Sequence, residues 1–235
     1  MGHTVRPVGL PLLVGGVLLL ISALAEAVDA HAPLVSLRVV LIAAPGLTPA
    51  ARGSLIGEAG RIWETAGVRL EWRNSLEPEA QPRDTLRVLA VSRPAWQSRS
   101  NVRVLGELLR FETSKAIARV SLDEAERIAA RNRIWTAGQR HLRDLQIGVV
   151  IGRAVAHEIG HYLLDTSTHA PAGLMRATID AAEFADLESD AFDLDVEATA
   201  WVRQRLADEM PLGPAAKGSA GTHPAALLRF SYAGE

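Results

Sequence analysis

The chain has 235 residues, with 25 basic and 27 acidic side chains and a formal net charge of −2. That balance offers no basic surface for nucleic acid or an anionic membrane, and the length suits one domain with a substantial core. Cysteine is absent, which excludes thiolate metal sites, cysteine nucleophiles and disulfides.

The first segment reads as an export signal. Arg6 supplies a short positive region, Val8 to Ala25 is almost wholly apolar, and Ala25, Ala27 and Ala30 offer cleavage sites. Val28-Asp29-Ala30 fits a small-x-small site, so residues 1–30 are expected to be a leader and His31 the mature start. The apolar run is also barely long enough to span a bilayer, which leaves an uncleaved N-terminal anchor as the alternative. Either way a single domain over residues 31–210 is expected outside the cytoplasm, secreted or periplasmic.

Leu34 to Ala43 is rich in Leu, Val and Ile and predicts a buried strand closed by Pro45-Gly46. Thr48-Pro49 suits a helix start, with apolar residues from Leu55 to Trp63 at helical spacing and Gly67 as the stop. Val68 to Trp72 alternates as a half-buried strand. Thr85 to Val91, Val102 to Leu109 and Ala116 to Val120 predict three more strands, separated by polar loops. Ser121-Leu-Asp-Glu124 is a capping-box pattern that opens a helix to about Ala130. Arg127, Arg131, Arg133, Arg140 and Arg143 then read as a solvated face, with an acidic substrate as the alternative. Further on, Ala181 to Ala191 and Leu194 to Glu209 predict helices, and residues 211–235 a flexible tail.

Between these parts lies His157-Glu158-Ile159-Gly160-His161. Residues four apart on a helix share one face, so His157 and His161 can present two imidazoles to one metal ion. Glu158 sits one step round the helix, where it can act on a water held by that ion. Ile147, Val150, Ile151, Ala154 and Val155 recur at helical spacing, and no Pro interrupts Asp144 to Leu164, so the motif is expected on a buried helix. His169 and Met175 follow in a turn-prone stretch.

The segment from Ala154 to Arg176 resembles the metzincin metallopeptidases, whose signature is a helical H-E-x-x-H, a glycine turn, a third His and a Met-turn. The chain beyond the leader more specifically resembles secreted bacterial proteins with the pattern A-H-E-I-G-H-x-L-L-G…H-S…G-I-M-R, assigned as metallopeptidases from that motif. The resemblance implies an α+β, zincin-like fold: a mixed twisted sheet, an active-site helix carrying the motif, and a helical C-terminal part. It implies a zinc ion (Zn2+) held by His157, His161 and His169, with Glu158 as general base and Met175 beneath the metal. The implied activity is hydrolysis of a peptide or protein substrate. It further implies an edge strand beside the cleft that pairs with an extended substrate, a role that falls to Ala116 to Ser121 or to Val102 to Leu109.

The chain departs from that pattern in three places. Seven residues, Tyr162 to Thr168, separate the second and third His, where metzincins have five. Asp165 stands nearest the missing glycine, and Asp tolerates the left-handed conformation needed there. Ala177 occupies a position where some metzincins have Tyr. Glu183 therefore remains a competing third ligand, as in His₂Glu sites, with Asp186 as a partner that could orient it. Tyr162 and Arg176 are candidates to stabilise an oxyanion. Two other function classes stay open: a non-catalytic zinc-stabilised binding domain, and copper chelation by the amine of His31 with His141 or His223.

Overall fold

The computed structural model describes residues 35–74, 85–92, 103–111, 116–194, 196–209 and 227–233. The leader, His31 and His223 lie outside these residues. Among them the strands are β1 (Val35–Ile42), β2 (Val68–Asn74), β3 (Thr85–Val91), β4 (Arg103–Arg110), β5 (Ala116–Ser121), β6 (Thr178–Asp180) and β7 (Leu227–Ala233). The helices are α1 (Pro49–Thr65), α2 (Leu122–Arg131), α3 (Arg140–Leu164), α4 (Ala181–Ala185) and α5 (Val196–Glu209). No helix of the described residues is long and apolar enough to cross a membrane.

The strands form one mixed sheet in the order β2-β1-β3-β5-β4-β7-β6. β1, β2, β3 and β5 run parallel, whereas β4 runs antiparallel to β5 and to β7. β3 alternates strictly between buried and half-buried positions, as a strand covered more fully on one face does. The expected mixed α/β architecture is therefore present, with α1 and α3 packed on each other beside the sheet.

That helix pair positions the site. Thr48 caps α1 through the amide of Ala51 and also donates to Asp144 Oδ2 of α3 at 3.0 Å. Gly148 and Gly152 let the two backbones close up: a Cβ there would fall 2.3 Å from Ala51 O and 2.8 Å from Leu55 O. Ser54 Oγ donates to Leu145 O at 2.8 Å, and the fully buried Trp63 donates its indole N–H to Ala156 O at 3.1 Å. Fixing α3 by its own carbonyls in this way holds the turn that precedes His157.

Three expectations need correction. The helix expected from Ala181 to Ala191 stops at Ala185, because the buried Arg153 guanidinium draws the carbonyls of Glu183, Phe184, Asp186 and Ser189 towards itself. Phe192 packs edge-on to Phe184 and under Arg153, 4.3 Å from ring centroid to guanidinium. Neither candidate edge strand is an edge: β5 lies between β3 and β4, and β4 lies between β5 and β7. The covering strand β7 comes from residues expected to be tail, since Leu227–Ala233 pairs with both β4 and β6.

Candidate metal centre

α3 runs unbroken from Arg140 through His161 to Leu164, and residues 150–161 are buried throughout. His157 and His161 sit one turn apart with their Nε2 atoms 3.0 Å from each other. Each Nδ1–H donates to a main-chain carbonyl, that of Leu174 at 2.7 Å for His157 and that of Thr166 at 2.9 Å for His161. Those bonds fix the tautomer, so both Nε2 atoms present lone pairs to the same point. Two facing lone pairs repel, and a shared cation relieves that.

His169 closes the group. Its ring stacks on His157 at 5.4 Å between centroids and meets His161 edge-on at 4.9 Å. Its Nε2 is buried with no hydrogen-bond partner. One nitrogen from each of the three rings lies within 4.8 Å of the others, and no other trio of possible ligands among the described residues comes so close. Tetrahedral zinc with Zn–N of about 2.0–2.1 Å spaces its nitrogens about 3.3 Å apart. The first pair, at 3.0 Å, is close to that spacing, and three neutral imidazoles are a donor set that suits the ion.

The long loop reaches the centre through local turns. Asp165 caps α3 in the left-handed region at φ 47°, ψ 38°. Arg110 of β4 holds that turn, donating to the Asp165 carboxylate and to His161 O. Thr166 Oγ1 accepts from the amide of Thr168 and bonds its hydroxyl, using up the two extra residues in a compact bend. The amide of Ala170 then donates to Met175 O at 2.8 Å, which ties the loop to the turn holding the methionine. Met175 is buried against α3, where the missing side chain of Gly160 leaves room for its sulfur. A largely apolar cavity of about 220 Å³ lies beside His169, bounded by Leu164, Leu174, Met175, Leu194 and Ala198.

Glu158 is fully buried, and neither carboxylate oxygen has a hydrogen-bond partner. Burial without a donor pushes its pKa well above the usual carboxylate value. Burial also lowers His157 far below the ordinary imidazole value, with His161 the next contributor, and lowers His161 to about 4. His169 is lowered by burial as well. All three rings are therefore neutral near pH 7, as metal ligation requires.

The other candidates fall elsewhere. Glu183 pairs with Arg176 through both oxygens, at 2.6 and 3.2 Å, so each satisfies the other instead of facing the imidazoles. Asp186 accepts the amide of Glu188. Tyr162 is half-buried against the core cluster, and His141 is exposed near the start of α3. Two residues that shape the site, Gly106 and Arg110, were not singled out by pattern. Gly106 carried a signal, since glycine inside a strand marks close approach of another group; Arg110 carried none.

No family model and no curated protein matches the chain. Among solved structures, the crystal structure of archaemetzincin from Methanopyrus kandleri is similar with a TM-score of 0.41 and 11% sequence identity, over 73% of this chain and 96% of that one.

Proposed function

We propose that the chain is a zinc-dependent metallopeptidase in which His157, His161 and His169 hold the ion and Glu158 is the general base. The observation that carries this reading is the pairing of three convergent neutral imidazoles with a buried carboxylate that has no other partner. A structural zinc site needs no such carboxylate, and burying one without a partner costs roughly several kcal/mol by desolvation, a cost that a catalytic role would account for. A bound zinc ion would supply Lewis acidity, acidifying a water and polarising the scissile carbonyl.

Glu158 would act as the ionised carboxylate, which a cation beside it favours against the burial that raises its pKa. It takes a proton at a carboxylate oxygen from the attacking water and returns it to the leaving amine. Leu174 O and Thr166 O keep the ligand rings in register throughout. Met175 forms an apolar floor and exchanges no proton. The apolar wall beside His169 favours an uncharged substrate side chain there. By its leader, the domain is assigned outside the cytoplasm, secreted or periplasmic, or membrane-anchored if the leader stays attached.

Metal content and peptide cleavage test the reading together. Glu158→Gln keeps zinc and loses about 10²–10⁴-fold in turnover. His157→Ala and His169→Ala lose zinc, while Glu183→Ala keeps both zinc and activity. Full zinc and activity in His169→Ala, with loss in Glu183→Ala, would reverse the choice of third ligand. Turnover unchanged by Glu158→Gln, with His157→Ala merely less stable, would leave a zinc-stabilised binding domain. N-terminal sequencing of the exported protein is expected to begin at His31.

A further inference from the structure

β7 lies between the two elements that border the metal centre. It runs antiparallel to β4, with Leu228 opposite Leu108, Arg229 opposite Glu107 and Phe230 opposite Gly106. On its other side it runs parallel to β6, with Tyr232 opposite Ile179. Gly106 is the residue against which the Glu158 carboxylate rests, and β6 follows directly from the Met175 turn. The β4–β7 register breaks between Val104 and Gly106, where the ladder passes Glu158. The backbone of β7 also comes within 8 Å, Cα to Cα, of α3.

β4 and β6 have no pairing with each other; β7 supplies the link. A main-chain hydrogen-bonding wall that passes the candidate base is what an extended peptide meets when it adds to a sheet edge, and the three residues of β6 supply a second wall on the far side. The strand filling that slot is drawn from far downstream, beyond residues 210–226, whereas β1 to β5 follow one another and make a continuous sheet without it.

We propose that β7 is an internal occupant of the slot that receives an extended peptide substrate, so that the chain as it stands is competitively self-inhibited, with a raised KM and an unaltered kcat. What the slot is for rests on the peptidase reading; that a peptide can replace β7 in it does not. A tethered strand competes at an effective concentration on the order of 1 mM, so free peptide at micromolar levels gains entry only when β7 is weakened. In a strand, successive N–H groups point to opposite neighbours, and proline has none to give. Ser231 and Tyr232 are the residues opposite both β4 and β6, so Ser231→Pro with Tyr232→Pro weakens the pairing with both walls at once.

The test uses the full chain with zinc, in a Glu158→Gln background so that the probe is not cut. A fluorescent peptide of the sequence Leu-Leu-Arg-Phe-Ser-Tyr-Ala is titrated by anisotropy. The double-proline chain is expected to bind it at least about tenfold more tightly than its parent, because the internal competitor no longer holds the slot. Equal binding by both, or no binding by a double-proline chain whose circular dichroism and zinc content match the parent, would overturn the proposal. Should that variant fail to fold, a protease site inserted after Gly221 is cut in the folded chain and the titration repeated. The same tenfold gain is expected after the cut, and unchanged binding overturns the idea. An opened slot that binds peptide in a chain with Glu158 restored, yet cleaves none, would sink the peptidase reading alone.

Discussion

The Glu158 carboxylate occupies the space that a side chain at Gly106 would fill: a Cβ there would lie 2.7 Å from Oε1. β4 thus shapes the base by withholding an atom. The group that would be met is the end of a Glu side chain, which gives way more readily than backbone. Gly106→Ala should therefore leave folding and zinc content intact and move the carboxylate. Turnover is expected to fall about tenfold or more, since misplacement near 1 Å can cost up to about a hundredfold. Steady-state kinetics beside a zinc assay would check this, and unchanged kcat would show that the base is not positioned by β4.

Gly160 stands in the same relation to Met175, with a missing Cβ only 2.2 Å from the sulfur. Met175 is 5% exposed but lines the cavity beside His169, so its flexible thioether end can move part of the way into that space. Gly160→Ala is expected to cost about 1 kcal/mol, the low end of overpacking, read as a lower urea midpoint. Trimming the partner should recover part of that loss, so Gly160→Ala with Met175→Ala should be less than additive in a double-mutant cycle. Strict additivity would mean that the two sites do not compete for the same space.

Acidification should reveal the buried imidazoles once zinc is stripped by a chelator. A His with a depressed folded pKa contributes stability that is full above the ordinary value of 6.5 and lost as pH falls towards the folded value, about 4 for His161. His157 and His169 act in the same direction. Glu158 opposes them: its raised pKa gives stability that is full below 4.5 and lost as pH rises. Three imidazoles outweigh one carboxyl, so the thermal midpoint of metal-free protein should drop between pH 6.5 and 4. Glu158→Gln removes the opposing contribution and should make that drop steeper. A shallower drop in the variant would contradict the burial of the unpartnered carboxylate.

The centre was more legible in the sequence than its surroundings, for a physical reason. Helical spacing alone puts His157 and His161 on one face, and Asp165 adopts the left-handed cap that a two-residue-longer loop to His169 still needs. Strands β1 to β5 announced themselves by apolar runs and alternation. The short α4, by contrast, ends because a buried cation on α3 gathers its carbonyls, and no local pattern encodes a partner some thirty residues away. β7 was hidden for the same reason: strand pairing depends on what lies across the sheet, and Leu227–Ala233 follows a Pro/Gly/Ala stretch that reads as tail.

Arg153 sits one turn before His157 and is 1% exposed, so its role can be separated from the chemistry of the centre. Nε donates to Glu58 Oε1 at 2.8 Å, and Nη1 donates to the carbonyls of Glu183, Phe184 and Asp186 at 3.1, 3.0 and 2.6 Å. One planar guanidinium thus ties α1, α3 and the segment after β6 together. Burial lowers the Arg153 pKa, and the hydrogen bond it donates to Glu58 is the main counterweight. Arg153→Met would leave several carbonyls after β6 without a donor, while Glu58 keeps Arg61 as its cation, at a cost of about 2–4 kcal/mol. Arg153→Lys should recover little of it, because a lysine ammonium cannot reproduce the fixed fork. Urea unfolding of the two variants would measure this. A lysine variant as stable as the parent would mean that charge alone, and not the geometry of the fork, holds the segment on α3.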